Sequence, residues 1–187
     1  MSSSVSLHTK GFLAGLVYCF CNYFIANIPS WHARKLLYRL CGMKIGKHSR
    51  IMMKVTVTHP WNIVIGSNTT VNEFCYLDGR GGLRLGDQVN IALYSALVTG
   101  FHAGTSCSFE YLTEPILIED DVWVAVRATI LNGCTLKKGC IVAAGSVVSP
   151  GTVCDAWSVW GGVPSKRIKS RDLDGALEIA WWRIHLR

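Results

Sequence analysis

Residues 115–148 read PILIEDDVWVAVRATILNGCTLKKGCIVAAGSVV, and an aliphatic side chain returns at every sixth position: Ile118, Val124, Ile130, Leu136, Val142 and Val148. A helix needs a period of about 3.6 residues and a half-buried strand a period of about two; neither describes this spacing. Four residues after each aliphatic position stands a small or β-branched one, at Val122, Ala128, Cys134, Cys140, Ser146 and Thr152. Such a pattern suits a prism with three flat faces. Each short strand sends one aliphatic side chain inward, a small residue turns the corner, and three hexads close a coil.

The phase runs back through Leu97, Ile91, Leu85, Leu77, Val71, Ile65, Ile51 and Ile45, with Ser95, Val89, Cys75 and Thr69 at the corner positions. Ile118 to Leu136 spans eighteen residues, Ile45 to Ile65 and Ile65 to Leu85 span twenty, and Leu85 to Ile118 spans thirty-three. Two coils therefore carry two extra residues each and one carries fifteen. The large surplus falls at 99–115, TGFHAGTSCSFEYLTEP, as a loop extruded between Leu97 and Ile118. The spacing predicts about five coils whose parallel strands stack at roughly 4.8 Å.

The composition agrees with one folded domain. The chain has 187 residues, 50% of them hydrophobic and 17% charged, which excludes a disordered chain. Eight cysteines are too dilute for a disulfide scaffold, and with no C-x-x-C pair or Cys/His cluster they point to a reducing, cytoplasmic setting without a metal. The net charge of +7 divides into +8 over residues 1–72, −4 over 73–163 and +3 over 164–187. Basic ends around an acidic middle suggest an anionic surface or a phosphorylated ligand. The basic segments carry no recognition motif or aromatic-interleaved stripe, so nucleic acid is not expected as a partner.

Residues 11–28, GFLAGLVYCFCNYFIANI, form an apolar run, and residues 1–44 hold five Lys/Arg and no acid. A helix lying on the cytoplasmic leaflet is expected, with Trp31, Arg34, Lys35, Arg39 and Lys44 meeting anionic headgroups; a true span and a helix packed on the protein are the alternatives. The chain divides into an N-terminal helical segment (1–44), a β-helix (45–154) and a C-terminal extension (155–187) with a short helical tail.

The repeat, together with LDGRGGLRLGDQV (77–89), TGFHAG (99–104), VAAGSVV (142–148) and GGVPSKRI (161–168), resembles the hexapeptide-repeat acyltransferases. Within that group the chain is most similar to O-acetyltransferases of bacterial polysaccharide biosynthesis. The resemblance implies a mainly β fold, a left-handed parallel β-helix assembled as a homotrimer. It also implies acetyl-CoA as co-substrate and a sugar or lipid-linked glycan as acceptor.

His102, the only histidine of the extruded loop, is the candidate general base, since an imidazole titrates near neutrality. In the resembling enzymes this His deprotonates the acceptor hydroxyl, which attacks the thioester directly. Many relatives have Asp after the His, where this chain has Ala103, so Glu110 or a backbone carbonyl is needed to orient the ring. Asn72, thirty residues before His102, matches an active-site Asn; a corner Asn in a left-handed turn is the alternative. Asp78 and Arg80 are candidates for sugar hydroxyls, or for a tight turn. For acetyl-CoA the matching positions are Trp123, Ala125, Val126, Ala144, Gly145 and Ser146, whose small side chains suit close backbone approach. Lys166 and Arg167 are candidates for the nucleotide phosphates, although Val163 and Lys166 depart from the usual Asn and Arg of the G-N-P-A-R ending.

Two other classes fit less well. A γ-type carbonic anhydrase needs clustered histidines, and an ice-binding surface needs ladders of Thr; neither is present. Transfer to a sugar nitrogen is the nearer rival, followed by serine acetylation.

Overall fold

The computed structural model describes residues 2–104 and 107–172. The expected C-terminal helical tail lies outside the described residues. Helix α1 (Ser2–Cys19) continues through a π-helical stretch (Phe20–Phe24) and a 3-10 turn (Ile25–Asn27), and α2 (Trp31–Leu40) follows. The Ser30 hydroxyl caps α2 by accepting from the Ala33 N–H.

The chain then winds as a parallel β-solenoid. Its first turn holds β1 (Lys44–Ile45), β2 (Arg50–Ile51) and β3 (Thr56–Thr58), and its second β4 (Ile63–Ile65), β5 (Thr70–Val71) and β6 (Tyr76–Asp78). The third holds β7 (Leu83–Leu85), β8 (Asn90–Ile91) and β9 (Ala96–Leu97), after which β10 (Gly100–His102) and β11 (Tyr111–Thr113) form an antiparallel hairpin. The fourth holds β12 (Ile116–Ile118), β13 (Trp123–Val124) and β14 (Thr129–Ile130), and the fifth β15 (Thr135–Leu136), β16 (Ile141–Val142) and β17 (Val147–Val148). A sixth turn holds β18 (Val153–Cys154) and β19 (Ser158–Gly162), closed by antiparallel β20 (Ser165–Ser170).

The first face stacks β1, β4, β7, β12, β15 and β18; the second stacks β2, β5, β8, β13, β16 and β19; the third stacks β3, β6, β9, β14 and β17. The fold is thus close to the expected left-handed β-helix, with about six turns where the repeat count predicted about five. The sixth escaped the count because its third strand is replaced by the β19–β20 hairpin, which breaks the hexad.

Hexad positions fill the axis. Ile65, Leu85, Ile118 and Leu136 are buried along the first face, and Val71, Ile91, Val124 and Val142 along the second. The corner residues Thr69, Cys75, Ser95, Ala128, Cys134 and Ser146 are buried beside them. Each is preceded by a residue with positive φ: Asn68, Phe74, Tyr94, Arg127, Gly133 and Gly145. Phe74 and Tyr94 hold this conformation at φ 61° although their Cβ disfavours it.

The N-terminal helices cover the open edge of the first turn, strand by strand. Arg39 donates to the Ile45 carbonyl and Lys35 to that of Gly46 at 2.6 Å, at the end of β1. Buried Arg34 donates through Nε and Nη2 to the Ile51 carbonyl of β2 at 3.2 and 3.1 Å. The Asn22 amide brackets Val57 of β3, accepting from its N–H at 2.7 Å and donating to its carbonyl at 2.9 Å. An unpaired strand edge invites association, and this device removes it. It also corrects the expected role of Arg34, Lys35 and Arg39: their head groups serve backbone carbonyls because the first coil has no coil beneath it. No helix among the described residues is long and apolar enough to cross a membrane.

Every surplus residue of the long coils falls on one edge of the prism, where the third face turns back to the first. The extra residues of the first turn include the 3-10 turn Pro60–Asn62, those of the second lie around Gly79–Gly82, and those of the third are the hairpin. The edge between the second and third faces keeps the hexad unbroken.

Candidate active site

His102 ends β10 on the decorated edge and pairs in register with Tyr111. Its Nδ1 lies 3.0 Å from the Phe109 carbonyl oxygen. A carbonyl only accepts, so this contact places the proton on Nδ1 and leaves Nε2 with its lone pair outward. The ring stacks on Phe109 with centroids 4.5 Å apart and planes 8° from parallel, and Tyr111 meets its edge at 5.2 Å. Phe109 has φ 48°, the left-handed backbone that turns its carbonyl back toward the histidine. The ring is therefore oriented by a main-chain oxygen. Glu110 joins the hairpin through its backbone carbonyl, which accepts from the Ala103 N–H at 2.8 Å, and no hydrogen bond or ion pair joins its carboxylate to His102.

Asp78 is fully buried at the root of the hairpin. Its carboxylate accepts from the Thr58 hydroxyl, from the Thr99 and Gly100 N–H groups at 3.0 and 3.1 Å, and from Arg80 through Nε, Nη2 and the backbone N–H. Burial alone would raise its pKa, but these donors, Arg80 first, hold it well below the carboxylate range. No acceptor is left over for a sugar hydroxyl, so Asp78 is an anchor for the chain that carries His102. The same ion pair raises the Arg80 pKa. Arg80 lies over the Tyr111 ring at 5.3 Å, which links Asp78, Arg80, Tyr111 and His102 in one supported group.

Asn72 stands on the smooth edge, where its amide donates to the Ile91 carbonyl at 2.8 Å and to Asn90 Oδ1 at 3.2 Å. Its backbone is not left-handed; Phe74 takes that conformation instead. Within one protomer the third face separates Asn72 from the hairpin.

The cofactor candidates of the two later coils do come together on this smooth edge. Val126 and Ala144 occupy consecutive levels, the Gly145 N–H donating to the Val126 carbonyl and the Ala125 N–H to that of Val142. Trp123 and Val126 are exposed, and a Cβ placed on Gly145 would meet nothing, so the surface beside it is open. Ser146 is turned inward, its hydroxyl accepting from the Gly162 N–H at 3.2 Å, and has no atom to offer a ligand. Lys166 and Arg167 lie on β20, paired with Gly161 and Trp160, and Arg167 sits 3.8 Å from Asp155.

Sequence reasoning missed Phe109 and Tyr111 because aromatic residues in a loop carry no base or nucleophile signature. It also missed His59, which lines a pocket of about 390 Å³ with Gly11, Gly15, Tyr18 and Arg80 beneath α1. Its Nδ1 is buried without a partner, and burial lowers its pKa. Among the described residues no group of three His, Cys, Asp or Glu is placed to hold a metal ion.

No protein-family model matches the chain, and no curated protein matches it in sequence. Its structure is similar to that of a hexapeptide-repeat-containing acetyltransferase of Vibrio cholerae O1 biovar eltor, complexed with acetyl coenzyme A. The likeness has a TM-score of 0.78 at 25% identity and covers 92% of this chain and 93% of that one. A maltose O-acetyltransferase of Clostridium difficile 630 superposes with a TM-score of 0.73 at 20% identity over 86% and 89% of the two chains. An N-acyltransferase of Bacillus cereus, in complex with dTDP-4-amino-4,6-dideoxyglucose and coenzyme A, gives 0.61 at 20% identity over 75% and 89%. The last two speak to the fold alone. The chain has the β-solenoid of hexapeptide-repeat acetyltransferases, and the near full-length likeness to the Vibrio protein supports an acyltransferase enzyme.

Proposed function

We propose that the protein is an acetyl-CoA-dependent O-acetyltransferase that acetylates a sugar hydroxyl of a bacterial surface polysaccharide or of its lipid-linked precursor. The observation that carries this reading is the His102 imidazole, fixed by the Phe109 carbonyl with Nε2 outward on an extruded hairpin. Nε2 takes the proton of the acceptor hydroxyl as its oxygen attacks the acetyl carbonyl. The tetrahedral intermediate then expels the thiolate of coenzyme A, which receives the proton from the imidazolium. The open corner at Trp123, Ala125, Val126, Ala144 and Gly145 suits the pantetheine arm of acetyl-CoA, with Lys166 and Arg167 toward its nucleotide end.

A homotrimer completes this arrangement. The hairpin exposes Phe109, Tyr111 and Leu112 on one edge, and the smooth edge exposes the stacked pair Phe74 and Tyr94, 4.9 Å apart, with Arg127 over Tyr94. Two exposed aromatic surfaces on different edges of a three-faced prism suit a ring in which the hairpin of one protomer lies on the smooth edge of the next. That packing would bring His102 to the Asn72 edge and the acetyl-CoA corner of another copy.

Peripheral contact with the inner face of the cytoplasmic membrane is part of the proposal, supported by the N-terminal helices, which expose Phe12, Leu13, Leu16, Phe20, Tyr23 and Phe24. With Arg34, Lys35 and Arg39 used internally, this apolar surface carries the contact.

Mass spectrometry of surface glycan from cells with and without the protein tests the reading. A 42 Da difference on one sugar, removed by mild alkali as an ester, is expected. A gain that resists alkali would move the acceptor atom to nitrogen, and no difference would refute the proposal.

A further inference from the structure

A groove of about 630 Å³ lies on the first face beside the decorated edge. Among the described residues its lining includes Lys44, Trp61, Arg80 and Arg84, and no Asp or Glu. Lys44, Val64 and Arg84 stand in register on adjacent strands, so two cations flank an apolar floor about 10 Å apart, two strand spacings of roughly 4.8 Å. Among the described residues neither Lys44 nor Arg84 has an ion-pair or hydrogen-bond partner for its head group. Arg80 gives Nε and Nη2 to Asp78 and Tyr76, and among the described residues no bond uses its Nη1. Glu114, just before groove-lining Pro115, turns its carboxylate to Asn132 at 2.7 Å.

The groove is also built from residues that the solenoid does not need. Trp61 comes from the two-residue surplus of the first coil, Gly81 and Gly82 from that of the second, and Pro115 from the foot of the hairpin. The Trp61 indole is exposed, with the His59 ring against it at 5.0 Å. Arg80 belongs both to this groove and to the group that supports His102, so one side chain joins the two.

We propose that this groove binds the diphosphate and first ring of a glycosyl diphosphate, the form in which the acceptor sugar reaches His102. Lys44 and Arg84 reach opposite ends of the diphosphate, Arg80 Nη1 meets it between them, and the Trp61 face takes a flat apolar ring surface. A single carboxylate would reach only one of the two separated cations. The proposal deepens the acetyltransferase reading and rests on it for the fate of the ligand, but its test needs no acetyl transfer.

The test is titration calorimetry of the full chain with inorganic pyrophosphate, at low and at physiological salt, for the wild type and for the double variant Lys44→Gln/Arg84→Gln. Both positions are at the surface, and an unchanged melting temperature and unchanged acetyl-CoA binding certify the fold. Saturable, salt-sensitive binding that weakens by at least about tenfold in the variant is expected. Equal binding by both proteins overturns the proposal, as does wild-type binding of glucuronate in place of pyrophosphate. Displacement of pyrophosphate by UDP-glucose supports the groove with a soluble acceptor, and displacement only by a polyprenyl diphosphoglucose in detergent micelles supports it with a lipid-linked one. Should pyrophosphate bind as described while no sugar is ever acetylated, the groove stands and the acetyltransferase reading falls.

Discussion

Two edges of the same prism obey opposite rules. The edge between the second and third faces keeps an unbroken hexad through five turns, and its small corners at Cys75, Ser95, Ala128 and Ser146 are buried. The edge between the third and first faces takes every insertion, and it carries His102, Arg80, Tyr111 and Trp61. Repetition settles packing, since each coil needs only one inward aliphatic residue per strand and a small corner. Chemistry gathers where repetition is interrupted, because surplus residues are free of that packing requirement. The regular edge is then left as the smooth wall proposed above for the co-substrate.

The sharpest way to break this comparison is His102→Ala. Loss of a general base should lower turnover by about 10²–10⁴-fold, read as thiol release from acetyl-CoA, while acetyl-CoA binding is nearly unchanged. A loss confined to binding would place the imidazole on the wrong side of the division.

Asp78→Asn comes next, because it loosens the hairpin at its root. The variant leaves Arg80 and two backbone donors poorly matched. Denaturant unfolding should show a loss of about 2–3 kcal/mol, less than the 3–5 kcal/mol or so of a fully buried pair, since a third of the Arg80 side chain is exposed. Turnover should fall with it. The pH dependence has a definite sign. The folded-state pKa of Asp78 is depressed below the ordinary 3.8, so its stabilisation is complete above that value and is lost progressively as the pH falls from there toward the lower folded-state pKa. Unfolding followed between pH 5 and 2 should show this acid loss in the wild type and much less of it in the variant.

Phe109→Ala keeps the carbonyl but removes the ring stacked on His102. An aromatic pair contributes about 0.5–1.5 kcal/mol, so turnover should drop about two- to tenfold with KM for acetyl-CoA unchanged. The smallest effect is expected at Glu110. Because its carboxylate does not meet His102, Glu110→Gln should stay within about twofold of the wild type in turnover. A large fall there, with a displaced pH profile, would return the orienting role to the carboxylate.

The sequence reveals most of the regular edge and little of the decorated one. Hexad phase identifies Ile118, Val124 and Ile130 as inward residues because a solenoid buries one side chain per strand, whatever its neighbours. Phe74 and Tyr94 were not legible as left-handed corners, since neither residue type favours that backbone; only the coil's closure imposes it. Arg34 reads as a headgroup ligand until the exposed edge of the first coil is seen to need donors. His102 was legible through its loop and motif, whereas its partner was not: a main-chain carbonyl has no residue type. Asp78 and Arg80 were found for the right neighbourhood with a different task, as the binding of two backbone N–H groups at the root of a hairpin leaves no mark in composition.

The central claim is that this solenoid uses acetyl-CoA on its smooth edge and a base on its decorated one. Titration calorimetry of acetyl-CoA into the purified full-length protein tests it most directly, with Gly145→Trp as the partner variant filling the open corner. The account predicts saturable binding by the wild type and by His102→Ala alike, and its loss in Gly145→Trp. Absence of binding to the wild type at millimolar acetyl-CoA, or undiminished binding when the corner is filled, would contradict it.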